Sequence, residues 1–282
     1  MKVPNFASTF QSIPRALTVL ALLSAAPPAM ATSPSFTNLS QSDVDNIERE
    51  MSANTNLHDV LPPSSLGSIF GFELGVVGGV TKTPNINGLV QEANSSASLS
   101  EVPHAALVGA LTIPFGITAE ATYLPSMSMS DVTYQEYALA LKWTMTDGTA
   151  LPLNIAIRGI YAHSSFSFNQ TVTDPTLGPV NVSVTNTDAV AGGQLLLSPK
   201  YIPLLEPYVG IGYLTGNGSL NVAGNTTSTL FNFTQSQSAS SAVTTSQILI
   251  GLDVHLLLIG IGAEYSHAFG TDSFSGKLSL KF

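Results

Sequence analysis

The sequence predicts an all-β fold: an antiparallel transmembrane β-barrel of about ten strands, preceded by a short N-terminal helical segment. Three observations predict this fold. Only 10% of the 282 residues are charged, while 44% are hydrophobic. The apolar residues alternate with polar ones in short segments, and the chain ends in such a segment at Phe282. About eight or twelve strands are the alternatives, because strand boundaries inferred from one sequence shift by several residues.

The apolar content is spread through short segments. A soluble domain usually has about a quarter of its residues charged, so the low charge content indicates a membrane protein. A membrane-spanning helix, however, needs ~20 consecutive apolar residues. Beyond the N-terminal region, the longest apolar run is Ile248 to Ala263, and Asp253 and His255 interrupt it. Strands are therefore the expected membrane-spanning elements.

Charge and cysteine content exclude several classes of function. The chain has no cysteine, which excludes disulfides and thiolate metal sites. Its formal charge is −9, whereas a nucleic-acid partner requires a basic surface. We therefore expect no nucleic-acid partner.

Residues 1–31 have the pattern of a secretory signal peptide. Lys2 and Arg15 supply positive charge, Ala16–Ala26 is a short apolar stretch, and Ala29-Met30-Ala31 is a small-x-small cleavage site. We expect Sec-dependent export and a mature chain that begins at Thr32. The alternatives are an uncleaved anchor or a core helix.

Residues 32–67 differ in pattern from the rest of the mature chain. Val44, Ile47 and Met51 lie at helical spacing, and Pro62-Pro63 would end a helix that continued through Leu61. Two interpretations stay open for this amphipathic helix. It is either a periplasmic turn or loosely ordered tail, or a plug that folds into the lumen or seals its periplasmic mouth.

Residues 68–282 contain ten segments with the length and alternation of membrane-spanning strands. They are residues 69–80, 104–114, 116–123, 132–145, 151–163, 188–198, 208–215, 247–257, 259–269 and 273–282. Short turns alternate with longer connections, of which 81–103, 166–187 and 216–246 are polar and are expected to be outer loops. Tyrosines fall at one end of the strands, and Trp143 and Phe282 fall at the other, as in the aromatic girdles of barrels. A soluble β-sandwich is the competing fold, but it would need charged residues on its solvent face.

The last strand carries a pattern typical of barrel assembly. Leu278, Leu280 and Phe282 alternate with polar residues up to the final residue. This end resembles the C-terminal strand of bacterial outer-membrane proteins, and residues 68–282 resemble small outer-membrane β-barrel proteins of Gram-negative bacteria. The N-terminal helix that leads through Pro62-Pro-Ser-Ser-Leu-Gly67 to the Phe70-Gly-Phe-Glu73 strand start is similar to that of an uncharacterised barrel family. The resemblance implies an outer-membrane location in contact with its lipid and recognition of Phe282 by the barrel-assembly machinery. It does not point to a reaction.

Ionisable residues on the inward faces are the candidate lumen residues. They are Glu73, His104, Glu120, Glu136, Lys142, Arg158, Asp253, His255, Glu264, Lys277 and Lys281. Because isolated buried charges are costly, these groups are expected to form either an ion-pair network that fills the lumen or a polar constriction that selects solutes. Asp253, His255 and Glu264 lie on adjacent strands and are expected to form one cluster. A barrel of about ten strands is near the size that side chains fill, which excludes a broad porin.

No catalytic motif is present. The omptins, ten-stranded outer-membrane proteases, use paired aspartates and a His–Asp pair near the outer rim. The rim here offers Asp131, Asp174, Asp188, Asp272, His163 and His267 with no adjacent pair in the sequence. There is no phosphate-binding loop and no His-based metal motif.

We expect no enzyme and no cofactor, and predict a narrow channel or transporter for small solutes. The alternative is a structural or adhesive surface barrel that acts through its long outer loops.

Overall fold

The computed structural model describes residues 41–67, 69–93, 98–129, 132–174, 178–200, 202, 204–224 and 237–282. The predicted signal peptide, its cleavage site and Asp131 lie outside these residues. Within the described ranges, neither helix is long and apolar enough to cross a membrane.

Ten antiparallel strands form a closed barrel in which each strand pairs with its neighbours in sequence and β1 pairs with β10. The strands are β1 Gly71–Lys82, β2 Glu101–Ile113, β3 Ile117–Met129, β4 Val132–Thr144, β5 Leu153–Asp174, β6 Gly178–Pro199, β7 Leu205–Gly224, β8 Gln237–Leu256, β9 Ile259–Ala268 and β10 Thr271–Lys281. Helix α1, Gln41–Thr55, precedes β1, and helix α2, Pro84–Ala93, connects β1 to β2. The predicted fold class, the strand number and the N-terminal helix are confirmed.

The outer face of the barrel wall is apolar, and its inner face combines charged and polar side chains with buried apolar ones. Successive side chains of a strand point to opposite faces, so a period of two in the sequence becomes two different surfaces. In β1, Phe72, Leu74 and Val76 are 42%, 53% and 51% exposed, while Glu73 is fully buried. The same alternation in the other strands produces the lipid-facing belt that a membrane barrel requires.

The two ends of the barrel can be told apart by their connections and aromatics. Short turns, such as Pro114–Gly116 between β2 and β3, lie at the end where the Phe72 and Phe282 rings stack 6.2 Å apart. Tyr137 and Tyr161 contact each other at the opposite end of the belt, with ring centroids 6.4 Å apart. Short turns mark the periplasmic side of such barrels, so the tyrosines mark the outer side.

Two of the predicted outer loops are mostly strand, and those predictions are wrong. Strands β5 and β6 have 22 residues each and are paired from Leu153–Pro199 to Asp174–Gly178. Strands β7 and β8 have 20 residues each, so residues 216–224 and 237–246 are also paired. A membrane-spanning strand needs only ~9–11 residues. These four strands therefore extend well beyond the lipid belt on the outer side.

Candidate functional site

Residues 41–67, named the plug from here on, lie inside the barrel. Helix α1 contacts strands from both sides of the wall, including β1, β6, β7 and β8. At its outer end, Ser241 donates a hydrogen bond to Asp45 (2.7 Å). At the other end of the plug, the Leu66 backbone donates to Thr112 Oγ1 (3.1 Å), near the periplasmic turns. The plug thus runs from the outer mouth to the periplasmic mouth and then enters β1.

The buried surface of α1 is mostly polar. Val44 and Ala53 are buried, but so are Glu48, Glu50 and Thr55. Ile47 and Met51, which the sequence placed on a buried apolar stripe, are only half-buried. Ala53 at the end of the helix belongs to a buried apolar cluster with wall residues that include Val190 and Leu214. The buried polar groups of the helix are tolerated where they find hydrogen-bond partners.

Glu48 is the centre of a cluster at the outer mouth. Ser52 Oγ lies 3.1 Å from Glu48 Oε1 and 3.2 Å from Asp188 Oδ1. Burial, together with the adjacent Asp188 carboxyl, raises the pKa of Glu48 to about 9. A side chain at Gly218 would collide with the Glu48 carboxyl. Glycine at this wall position is therefore what lets α1 approach β7.

Glu50 joins the plug to the outer connection between β1 and β2. Its Oε1 accepts hydrogen bonds from the backbone N–H (2.7 Å) and Nδ2 (2.8 Å) of Asn85, and its Oε2 accepts one from the backbone N–H of Ile86 (2.9 Å). These backbone groups belong to the first turn of α2, where N–H groups lack partners within the helix and a negative charge is favoured. The plug therefore supplies the cap that holds α2 in place.

A buried ion-pair network lies at the middle of the lumen. Arg158 Nη1 is 2.9 Å from Asp59 Oδ1 and 3.3 Å from Glu120 Oε2. Lys142 Nζ is 2.8 Å from Glu120 Oε1 and donates a hydrogen bond to the Pro62 carbonyl (2.6 Å). Burial raises the pKa of Asp59 to about 7, although the Arg158 guanidinium acts in the opposite direction. The wall and the plug thus share one set of buried charges.

A chain of hydrogen bonds fixes the Arg158 side chain from the wall. Arg158 Nε donates to Gln194 Oε1 (2.6 Å), Gln194 Nε2 donates to Gln247 Oε1 (2.6 Å), and Gln247 Nε2 donates to Ser266 Oγ (2.8 Å). The chain links β5, β6, β8 and β9, and it passes over β7 at Gly212, where a side chain would collide with both glutamines. The guanidinium is therefore held from the wall at Nε, while the plug binds it at Nη1.

A second charged cluster lies at the periplasmic mouth. Lys277 Nζ lies 2.6 Å from Glu73 Oε1 and 3.8 Å from Asp253 Oδ1, and Lys281 pairs with both carboxylates. His255 Nε2 lies 2.8 Å from Asp253 Oδ2. The charges of the two lysines and the two carboxylates balance one another, so this cluster needs no group from the plug.

Glu264 does not join this cluster, and that prediction is wrong. In the register of β8 and β9, Glu264 lies opposite Gly251, while Asp253 lies opposite Gly262. Glu264 instead accepts a hydrogen bond from the Tyr208 hydroxyl (2.8 Å). Adjacent strands bring residues together only when the register agrees, and the sequence does not state the register.

The remaining lumen candidates also lie on the inner wall. Glu136 accepts a hydrogen bond from the Tyr134 hydroxyl (2.6 Å). His104 stacks on His58 of the plug with ring centroids 4.0 Å apart. Burial lowers the pKa of His58 to about 4, so this stacked pair has an uncharged plug member at neutral pH.

The sequence does not identify every residue of the site, because some residues reach it only through the path of the plug or the pairing register of the strands. Asp59 lies outside any regular element, and no periodicity marks it. Gln247 had a usable signal, because it alternates with the outward Ile248 and shares its face with Asp253. At the outer rim, the β9–β10 hairpin brings His267 Nδ1 within 2.9 Å of Asp272 Oδ1, although the two are not adjacent in sequence. Among the described residues, no group of three acidic, His or Cys side chains could hold a metal ion.

Several solved barrels are similar in fold to this chain. The outer membrane protease OmpT from Escherichia coli has 10% identity and a TM-score of 0.40, with 76% of this chain and 96% of that chain covered. The translocator domain of the autotransporter NalP from Neisseria meningitidis has 11% identity and a TM-score of 0.41, with 86% and 95% covered. Ail, the attachment invasion locus protein of Yersinia pestis, has 11% identity and a TM-score of 0.29, with 76% and 97% covered. Likeness at these levels supports no argument about activity.

No curated protein matches the sequence. One family model does match: it is that of a family of unknown function (DUF6588), over residues 20–277.

Proposed function

Because this chain belongs to that family of unknown function, its activity must be inferred from the site, and we propose that the protein is a narrow outer-membrane channel for small solutes that the plug closes. The buried carboxylates hold the plug in place and take part in no reaction. Export by a signal peptide cleaved after Ala31, contact with outer-membrane lipid and recognition of Phe282 by the barrel-assembly machinery are parts of the same proposal.

The observation that carries the proposal is the set of charged and hydrogen-bonded contacts across the plug–wall interface, which lie beside the apolar clusters around Leu57 and Val60. Asp59 of the plug meets Arg158 of the wall, and the Pro62 and Pro63 carbonyls accept hydrogen bonds from Lys142 and Thr144. Replacing a buried ion pair with well-packed apolar residues is often neutral or stabilising, so a permanent filler has no need of such charges. A plug that withdraws needs them, because both surfaces then face water.

The diameter of the barrel limits what passes once the plug withdraws. Barrels of about eight strands are filled by side chains, whereas aqueous porins have about sixteen or more. A ten-stranded barrel without its plug leaves a path lined at mid-depth by Lys142, Arg158 and Glu120. Charged rings of this kind select solutes by charge and size. The path therefore suits small polar solutes.

Tying the plug to the wall tests the proposal. The Thr55 and Ser164 hydroxyl oxygens are 2.7 Å apart, so Thr55→Cys with Ser164→Cys should form a disulfide in a chain that has no other cysteine. In planar bilayers, we expect the oxidised protein to be silent, reduction to restore wild-type openings, and removal of residues 32–67 to give larger and more frequent openings.

The matched control ties one wall strand to another. Thr81 Oγ1 and Ser273 Oγ are 3.0 Å apart on β1 and β10, and Thr81→Cys with Ser273→Cys should leave the openings unchanged when oxidised. A protein without residues 32–67 that folds, as judged by heat-modifiable gel mobility, and yet conducts no ions would show that side chains fill the lumen. That result would reject the channel.

The length of β5 to β8 favours a second candidate function, recognition at the cell surface. These four strands rise beyond the lipid belt, where nothing in membrane spanning requires them. In this function the outer sheet, which is formed by the ends of β5 to β8 beyond the lipid belt, binds a partner. The plug then serves only to stiffen the barrel.

Shortening the outer sheet separates the two candidates. Joining Ser167 to Thr185 and Leu220 to Ala239 by two-residue turns cuts both hairpins at paired positions, and leaves the plug contacts of Asp188, Gly218 and Ser241 in place. If the channel is the function, conductance stays at the wild-type level. Loss of whole-cell adhesion with unchanged conductance would instead assign the function to the outer sheet.

A further inference from the structure

We infer that the Arg158 position in the wall is a binding site for a small carboxylate solute, and that Asp59 of the plug occupies this site while the barrel is closed. The inference rests on the proposed function, because a solute reaches Arg158 only after the plug withdraws. It adds the chemical class of the solute.

The first support is the geometry around Asp59. Arg158 Nη1 lies 2.9 Å from Asp59 Oδ1 and 3.2 Å from Asp59 Oδ2, so both carboxylate oxygens are within reach of one guanidinium nitrogen. Arg158 Nη2 is buried and has no hydrogen-bond partner in the part of the chain that the structure describes. A planar guanidinium with a second unused nitrogen is suited to a carboxylate. The site therefore has capacity that Asp59 does not use.

The second support is that the site is built by the wall. Gln194 holds Arg158 Nε through a 2.6 Å hydrogen bond, and Gln194 is itself held by Gln247. Lys142 lies directly opposite Arg158 in the register of β4 and β5. Removal of the plug leaves this arrangement of donors in place, so the site is ready for another ligand.

The third support is the balance of charge. Arg158 and Lys142 both contact Glu120, and among the described residues they form no other ion pair with a wall carboxylate within 4.0 Å. Glu264, the next acidic group, is engaged by the Tyr208 hydroxyl. When Asp59 withdraws, two cations share one carboxylate. One positive charge of the path is then left without a partner, and an incoming anion supplies that partner.

Neighbouring donors indicate a solute with more than one oxygen acceptor. Lys142 Nζ and Thr144 Oγ1 each donate a 2.6 Å hydrogen bond to a plug carbonyl, that of Pro62 and that of Pro63. When the plug leaves, these donors lose the plug carbonyls and Arg158 loses Asp59, while Glu120 stays in the wall. A small carboxylate with a further carbonyl or hydroxyl oxygen matches this row of donors.

Chemical rescue tests the site in the full mature chain. Asp59→Ala removes a carboxylate of the size of formate beside Arg158. We expect sodium formate to raise the thermal midpoint of the Asp59→Ala protein by a few degrees in a saturable manner, because a ligand that binds only the folded state stabilises it. Sodium chloride at the same ionic strength should not do so. The midpoint is measured from the loss of the heat-modifiable folded band.

The controls separate binding from general salt effects. Asp147→Ala removes a wall carboxylate that contacts plug residue Ser65 (2.9 Å) and has no ion pair with a described cation, and it should show no saturable response to formate. Combining Asp59→Ala with Arg158→Gln should abolish the response. An equal rise in all three proteins, or no rise in Asp59→Ala, would overturn the site.

The rescue experiment also tests the carboxylate site if the Asp59→Ala protein folds poorly. If Asp59→Ala does not refold in chloride, formate in the refolding buffer should restore the folded band, and failure to do so counts against the site. The rescue is independent of conductance. A positive rescue with a silent barrel lacking residues 32–67 would keep the anion site and reject the channel. Conductance without rescue would keep the channel and reject the carboxylate.

Discussion

Ionisation of Glu48 opposes docking of the plug in the barrel. The pKa of Glu48 is about 9 with the plug docked, against an ordinary value of 4.5. The docked plug therefore keeps a proton that the released plug loses, and docking weakens as the pH rises from about 4.5 to about 9. Asp59, with a pKa of about 7, acts in the same direction. His58, with a pKa lowered to about 4, acts oppositely and only below its ordinary value of 6.5.

The window from about pH 7 to 9 includes the titration of Glu48. We expect the open probability of the full-length protein in planar bilayers to rise across this window, and Glu48→Gln to flatten the rise. Asp45→Asn is the matched control on the same helix. A hydrogen bond from Ser241 lowers the pKa of Asp45, so this group is ionised throughout the window. A rise of the same steepness in Glu48→Gln would assign the pH response to another group.

At the scale of the element, the alternation of apolar and polar residues predicts the strands. It does not predict contacts that depend on the strand register or on whether a strand end lies inside or outside the lipid. Glu73, Lys142 and Arg158 were placed inward because their neighbours are large and apolar, and a strand has only two faces. The membrane-spanning parts of all ten strands could be located in this way.

The errors have physical causes. Residues 166–187 are rich in Ser, Thr and Asn, a composition that is typical of loops. This composition hides a period of two, in which Val180, Val182 and Val184 alternate with polar residues. These strand ends pair with each other outside the lipid and need no apolar face. The contact of Asp59 with Arg158 joins residues on a coil and a strand that are far apart in sequence, and no local pattern encodes it.

At the scale of the whole molecule, the direction of the plug sets which face of the membrane its first residues reach. Gln41 begins α1 near Ser241, beyond the tyrosines, and the plug then descends to the periplasmic side. The start of the described chain therefore lies at the outer mouth, although β1 itself begins on the periplasmic side.

Surface labelling tests this direction in intact cells. Ser42 is exposed at the start of α1, and Thr149 is exposed on the periplasmic turn between β4 and β5. A membrane-impermeant maleimide should label Ser42→Cys on intact cells and Thr149→Cys only after the cells are broken. Because the natural chain has no cysteine, each signal comes from one site. Labelling of Ser42→Cys only in broken cells would reverse the direction of the plug.

The seam between β1 and β10 has a consequence for the order of biogenesis. The plug directly precedes β1, and the barrel closes when β1 pairs with β10 from Glu73–Lys281 to Thr81–Ser273. A closed wall offers no lateral entrance, so residues 41–67 reach the lumen by one of two routes: they lie within the curved sheet before that seam forms, or they enter through a mouth of the finished barrel. In the first route, the final pairing step encloses a segment that came before it in synthesis. Completing the sheet and delivering the start of α1 to the far side of the membrane are then one event.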